Sequence, residues 1–155
     1  PYEIMFQLIR THLLIPDKLL SDQAIYEARR NGQAELAIEL VAEAKGFCFI
    51  AEDGRRVLGI MGDAVPLAPD LRLTAWLPAV AELTLFKDGQ PIGTTTADTW
   101  QVPISQPGVY RLEAMRHGKP WIFSNPIYVQ PAPPEPQAQT PADSAQPPPP
   151  TTDAP

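Results

Sequence analysis

In PYEIMFQLIRTHLLIP, the first sixteen residues, the apolar positions Ile4, Met5, Leu8, Ile9, Leu13 and Leu14 fall close to helical spacing, and Pro16 closes the run. A second helix is expected in SDQAIYEARRNG. There Ser21 is placed to cap the N-terminus, Gly32 follows Asn31 as a stop, and Ala24, Ile25 and Ala28 form the buried stripe. Arg29 and Arg30 fall in its last turn, where the helix dipole favours cations. From Gln33 onward the period changes to two. AELAIELVAEA puts Leu36, Ile38 and Leu40 on one face, with Glu35 and Glu39 among the residues opposite, so Glu35, Glu39 and Glu43 read as a solvated face. FCFIAEDGRRVLGIMG holds two β-rich runs around the turn dipeptide Asp53-Gly54. DLRLTAWLP sets Leu71, Leu73, Ala75 and Leu77 against Arg72, Thr74 and Trp76. In AELTLFKDGQPIGTTT, Leu83 and Leu85 face inward and Asp88-Gly89 makes the turn. Pro91 cannot donate to a ladder, which marks the return strand as an edge. TWQVPIS, GVYRLEAM and WIFSNPIYV follow as short strands, the last two separated by the turn RHGKP.

Roughly eight short strands, with turn signals about every ten residues, make the pattern of a mainly β chain folded as an immunoglobulin-like β-sandwich. Residues 1–32 read as a helical connection leading into it, and residues 33–130 as the sandwich. Tyr110, just after the Pro-Gly turn that opens GVYRLEA, is placed to return its hydroxyl to the preceding loop, as in a tyrosine corner. In WIFSNPIYV, Asn125 precedes Pro126 and is biased toward an extended conformation, while Pro126 removes a ladder donor. The stretch therefore reads as a closing strand with a break, with Trp121, Asn125 and Pro126 as structural residues. Proline punctuates the end of the chain: ten of the 20 prolines lie between Pro131 and Pro155, a segment with no Leu, Ile, Val, Met or aromatic residue. Such a segment cannot bury enough surface to offset the entropy of ordering, so it is expected to be a disordered, PPII-biased tail open to a protein partner.

Charge narrows the partners. The formal net charge is −6, and the tail carries −3 of it through Glu135, Asp143 and Asp153. A mildly acidic body with only the local doublets Arg29-Arg30 and Arg55-Arg56 offers no basic stripe for nucleic acid. No stretch approaches the roughly 18 apolar residues of a membrane span. Cys48 is the single cysteine, so no intrachain disulfide or cysteine metal cluster forms; in GFCFIA it reads as a buried thiol. Cytoplasm and periplasm are both compatible with it.

Catalytic constellations are sparse. His12 and His117 lie in different segments without metal-ligand spacing, and His117 beside Gly118 reads as a hairpin-tip residue. No serine stands in a Gly-x-Ser-x-Gly elbow, and no Gly-x-x-x-x-Gly-Lys or Gly-x-Gly-x-x-Gly loop is present. No catalytic residue and no metal ligand is therefore assigned to this segment. Trp76 and Trp100 remain as a candidate binding face, since aromatic rings stack on sugars and cover neighbouring domains.

PYEIMFQLIRTHLLI, GFCFIAEDG, IMGD, LTLFKDGQPIG, PGVYRLEA and WIFSNPIYV occur in that order. Together they resemble the C-terminal portion of bacterial PHP-domain metal-dependent phosphoesterases of the CehA/McbA-like metallohydrolase group. Gly108–Glu113 and Trp121–Val129 carry the resemblance most specifically; the long proline tail departs from it, and QAELAIELVAEA fits it loosely. In that family a PHP barrel binds divalent metals through His, Asp and Glu residues and hydrolyses phosphate esters, and a β-sandwich follows. The resemblance implies that the metals belong to an upstream barrel, that this segment holds no cofactor of its own, and that its partner is that barrel on the same polypeptide. Arg10, Thr11 and His12 would then sit at the domain junction. The implied function is a non-catalytic accessory domain that buttresses the barrel. A stand-alone module binding carbohydrate or an envelope protein is the alternative.

Overall fold

A computed structural model describes residues 8–15 and 20–132. The elements are β1 (Ile9–Leu13), α1 (Asp22–Arg30), β2 (Ala34–Ile38), β3 (Cys48–Glu52), β4 (Val57–Ile60), β5 (Ala64–Pro66), β6 (Arg72–Lys87), β7 (Gln90–Pro103), β8 (Gly108–Arg116), β9 (Lys119–Ser124) and β10 (Ile127–Gln130). The chain is mainly β, a curled antiparallel sheet of β-sandwich type with one short helix. Hydrogen-bonded neighbours run β1-β2-β9-β8-β6-β3-β4, with β7 along the far side of β6 and β10 between β8 and β5.

The curl comes from one bent strand. Arg72–Trp76 of β6 pairs with β3, whereas Glu82–Lys87 pairs with β8. Between these halves the register to β7 jumps from Trp76↔Thr99 to Ala81↔Ala97. Leu77, Pro78, Ala79 and Val80 therefore stand opposite Asp98 alone, a bulge that tolerates the missing donor of Pro78 and turns the strand from one layer into the other. The inward face continues through the bend: Leu73, Ala75 and Leu77 before it, Ala81, Leu83 and Leu85 after it, all buried. DLRLTAWLP and AELTLFK are thus one strand of 16 residues, and TWQVPIS is the end of the 14-residue β7. The breakers that suggest separate strands sit inside a paired hairpin. Its turn is Asp88-Gly89, both at positive φ, and among the described residues β7 has β6 as its sole ladder partner, as Pro91 suggests.

At the N-terminal side the expected boundary moves. Ile9–Leu13 is a strand, not part of a helix, paired antiparallel with β2 from Ile9↔Ile38 to Leu13↔Ala34. Ile9, Thr11 and Leu13 also alternate with Arg10 and His12, and the ladder with β2 decides between the two periods. The sheet therefore begins at Ile9 rather than Gln33. Ile4, Met5, Pro16 and the proline tail beyond Ala132 lie outside the described residues. The helix α1 has the ends expected: Ser21 Oγ accepts from the Ala24 amide at 3.2 Å, and Asn31 and Gly32 close it. Its buried stripe is narrower than expected, because Ala28 is buried and Ala24 half-buried but Ile25 is exposed.

The core centres on Trp121, Tyr110, Phe49, Met61 and the leucines of β6 and β8. Tyr110 donates its hydroxyl to the Gln106 carbonyl at 2.8 Å, tying β8 to the turn before it. Trp121 is the extra residue where Ala114↔Ile122 steps to Met115↔Pro120, so Trp121 and Ile122 are both fully buried in succession. WIFSNPIYV is split into β9 and β10, both paired with β8; across the break the outer neighbour changes from β2 to β5. Asn125 holds that break, donating from Nδ2 to the Gly32 carbonyl at 2.8 Å, while the Pro126 carbonyl accepts from Gly62 at 2.8 Å. Gly62 is required there: its φ is 93°, and a Cβ would lie 2.1 Å from the Asn31 carbonyl oxygen.

Candidate functional site

The pairing of β1 with β2 places His12 directly opposite Glu35. Arg10 and His12 share the face that carries Glu35 and Ala37. Beyond β2 the chain folds back as the 39–47 loop, anchored by the Trp121 indole N–H, which donates to the Ala42 carbonyl at 2.8 Å. That anchor brings Glu39 to the other side of the imidazole. His12 Nδ1 lies 3.0 Å from Glu35 Oε1, His12 Nε2 lies 3.1 Å from Glu39 Oε1, and Arg10 Nη1 reaches Glu39 Oε2 at 2.9 Å. These groups line a cleft of about 380 Å³, lined further by Glu43, Lys45, Gly46 and Phe47.

Burial governs the electrostatics. Glu35 is 3% exposed, and its Oε2 is buried without a hydrogen-bond partner. Taking the carboxylate out of water pushes its pKa from the ordinary 4.5 up to about 8. The Cys48 thiol is also pushed up, first by burial and then by the nearby Glu35 charge. Each ring nitrogen of His12 thus has a carboxyl oxygen as its hydrogen-bond partner, and the three side chains form a Glu–His–Glu chain.

Chemically the chain of groups is closed on itself. Neither ring nitrogen is free to take a proton from a substrate while both contacts stand, and the adjacent thiol is held toward its protonated, poorly nucleophilic form. Glu35 and Glu39 lie on opposite sides of the imidazole. Among the described residues no group of three or more His, Cys, Asp or Glu is placed to hold one metal ion.

The structure separates the predicted residues. Arg10 and His12 enter this cleft, while Thr11 points to the opposite face of β1, opposite Leu36. Glu35 and Glu39 were expected on a solvated face, and the correction is complete for Glu35: it is buried, and Leu36 and Leu40 are exposed. Period two groups the residues of β2 correctly but does not say which group turns inward; the hydrogen-bonding ring of His12 makes the carboxyl the residue that turns in. Cys48 is half-buried rather than buried. Trp76 and Trp100 do not form one binding face. Trp100 lies opposite Ala75 on the inward side and packs on the core, whereas Trp76 lies opposite Thr99 on the outward side, 38% exposed. Beside Trp76 the outer face is closed by polar contacts: Gln101 Nε2 donates to Glu52 Oε1 at 2.9 Å, and Thr74 donates its hydroxyl to the same oxygen. Tyr110, Trp121, Asn125 and Pro126 stand at the structural joints described above. No protein-family model, no curated protein and no solved structure matches the chain.

Proposed function

We propose that this chain is a non-catalytic accessory domain that buttresses a PHP-type, metal-dependent phosphoesterase barrel carried upstream on the same polypeptide. The supporting observation is an apolar strip on the outward face of the sheet, beside the strand through which the chain arrives. Ile9 is 50% exposed and stands opposite Ile38; Leu36, 40% exposed, stands between Thr11 and the half-buried Phe123. Met115 on β8 is also exposed. Contiguous exposed apolar surface of this kind marks a contact with another protein surface. On the other face the Glu35–His12–Glu39 contacts tie β1, the element such a barrel would press upon, to β2 and the 39–47 loop.

The test is made on the native polypeptide, captured with an antibody against residues 8–132. It is expected to release phosphate from p-nitrophenyl phosphate with Mn²⁺ or Zn²⁺. Leu36→Glu in that polypeptide is expected to lower the thermal midpoint of the activity. A native polypeptide without metal-dependent phosphoesterase activity overturns the reading.

A further inference from the structure

Four strands of the sheet pair on one side only among the described residues: β1, β4, β5 and β7. Three of them are short, with 5, 4 and 3 residues, which is the usual protection of an exposed edge. The fourth, β7, is 14 residues long. In an antiparallel ladder about half of its residues direct their N–H and C=O groups toward β6, and the rest direct theirs outward. Between Pro91 and Pro103 there is no proline and no lysine, and Asp98 is the single charged residue. Gly93, Thr95 and Ala97, on its inward face, are small and half-buried, opposite the buried Leu85, Leu83 and Ala81 of β6.

We propose that β7 is an interaction surface for a second copy of this chain, the two β7 strands pairing antiparallel about a two-fold axis at Thr95. Self-complementarity selects this occupant. With Thr95 opposite its own counterpart, Thr94 meets Thr96 of the second copy, Gly93 meets Ala97 and Ile92 meets Asp98, so the acidic residues are kept apart. Thr94 and Thr96 are both exposed on the outward face, where facing threonines stabilise neighbouring strands. The half-buried Gly93, Thr95 and Ala97 are covered by the corresponding residues of the second copy. Pro91, which meets Thr99 of the other copy, bounds the pairing at both ends, and an isologous contact that uses the same edge twice closes after two copies.

The experiment is light-scattering mass across a concentration series of the full chain. The mass is expected to rise from 17.0 kDa toward twice that value as concentration increases. T94K/T96K sets lysines against lysines in the proposed register and is expected to remain at the monomer mass, with a melting midpoint equal to that of the unmodified chain at concentrations where the latter is monomeric. T94E/T96E alone is expected to behave in the same way, and an equimolar mixture of the two variants is expected to restore the dimer. An unmodified chain that stays monomeric at every concentration overturns the proposal, as does a dimer that T94K/T96K leaves intact.

Discussion

Glu35→Gln isolates the energetic consequence of the buried carboxyl group. The folded state raises the pKa of Glu35 from 4.5 to about 8, so it binds a proton that the unfolded chain releases between those values. The resulting stabilisation is fully present below pH 4.5 and is lost as pH rises through about 8. At about 1.36 kcal/mol per pH unit, a rise of about 3.5 units corresponds to roughly 5 kcal/mol. A domain of this size has about 5–15 kcal/mol in total, so a loss of that size would approach global unfolding. A cheaper response is built into the site: β1, an edge strand of five residues, can open by itself. The expected fall for the unmodified chain between pH 5 and pH 9 is therefore about 2–5 kcal/mol. Glutamine keeps the volume, hydrogen-bonds to His12 Nδ1 with either end of its amide, and carries no titrating charge. E35Q is expected to match the unmodified chain within about 1 kcal/mol at pH 5 and to exceed it by about 2 kcal/mol or more at pH 9. Urea unfolding followed by tryptophan fluorescence at pH 5, 7 and 9 measures both curves. Comparing them cancels the other titrating groups they share. If the difference between the two chains does not change with pH, the assignment of a buried, proton-holding Glu35 is refuted.

Two further outcomes follow from single contacts. Tyr110→Phe removes the hydroxyl donated to Gln106 and leaves that carbonyl to water, with an expected cost of about 1 kcal/mol in urea unfolding; no measurable cost would show that the corner contributes nothing to stability. Gly62→Ala forces a Cβ onto the Asn31 carbonyl at a positive φ, and the loop must move away from Asn125 and Pro126. Its expected cost is about 2–4 kcal/mol, read as a lowered thermal midpoint, and an unchanged midpoint would refute the interlock.

What the residues disclose on their own is local. The alternation of Leu71, Leu73, Ala75 and Leu77, and of Leu83 and Leu85, marks the inward face of β6, and Asp88-Gly89 marks the hairpin that follows. The bend at Leu77–Val80 is not legible in the same way. Pro78 looks like the end of a strand until β7 is seen to pass it with one residue against four. The same bulge sets the parity that sends Trp76 outward and Trp100 inward, so a shared aromatic face cannot be judged before the register is known. The cleft is further from the sequence still. His12 and Glu35 are 23 positions apart, joined through a short strand whose apolar residues fit two periods. Glu39 reaches the ring because Trp121, 79 positions beyond Ala42, pins the loop that carries it. A glutamate in an alternating strand is read as solvent-facing unless a partner is known to wait inside, and here the partner arrives by long-range pairing. The hydrogen-bonded chain of Glu35, His12 and Glu39 is therefore a property of three registers acting together. That is why altering the carboxyl, rather than either strand, is the direct way to measure it.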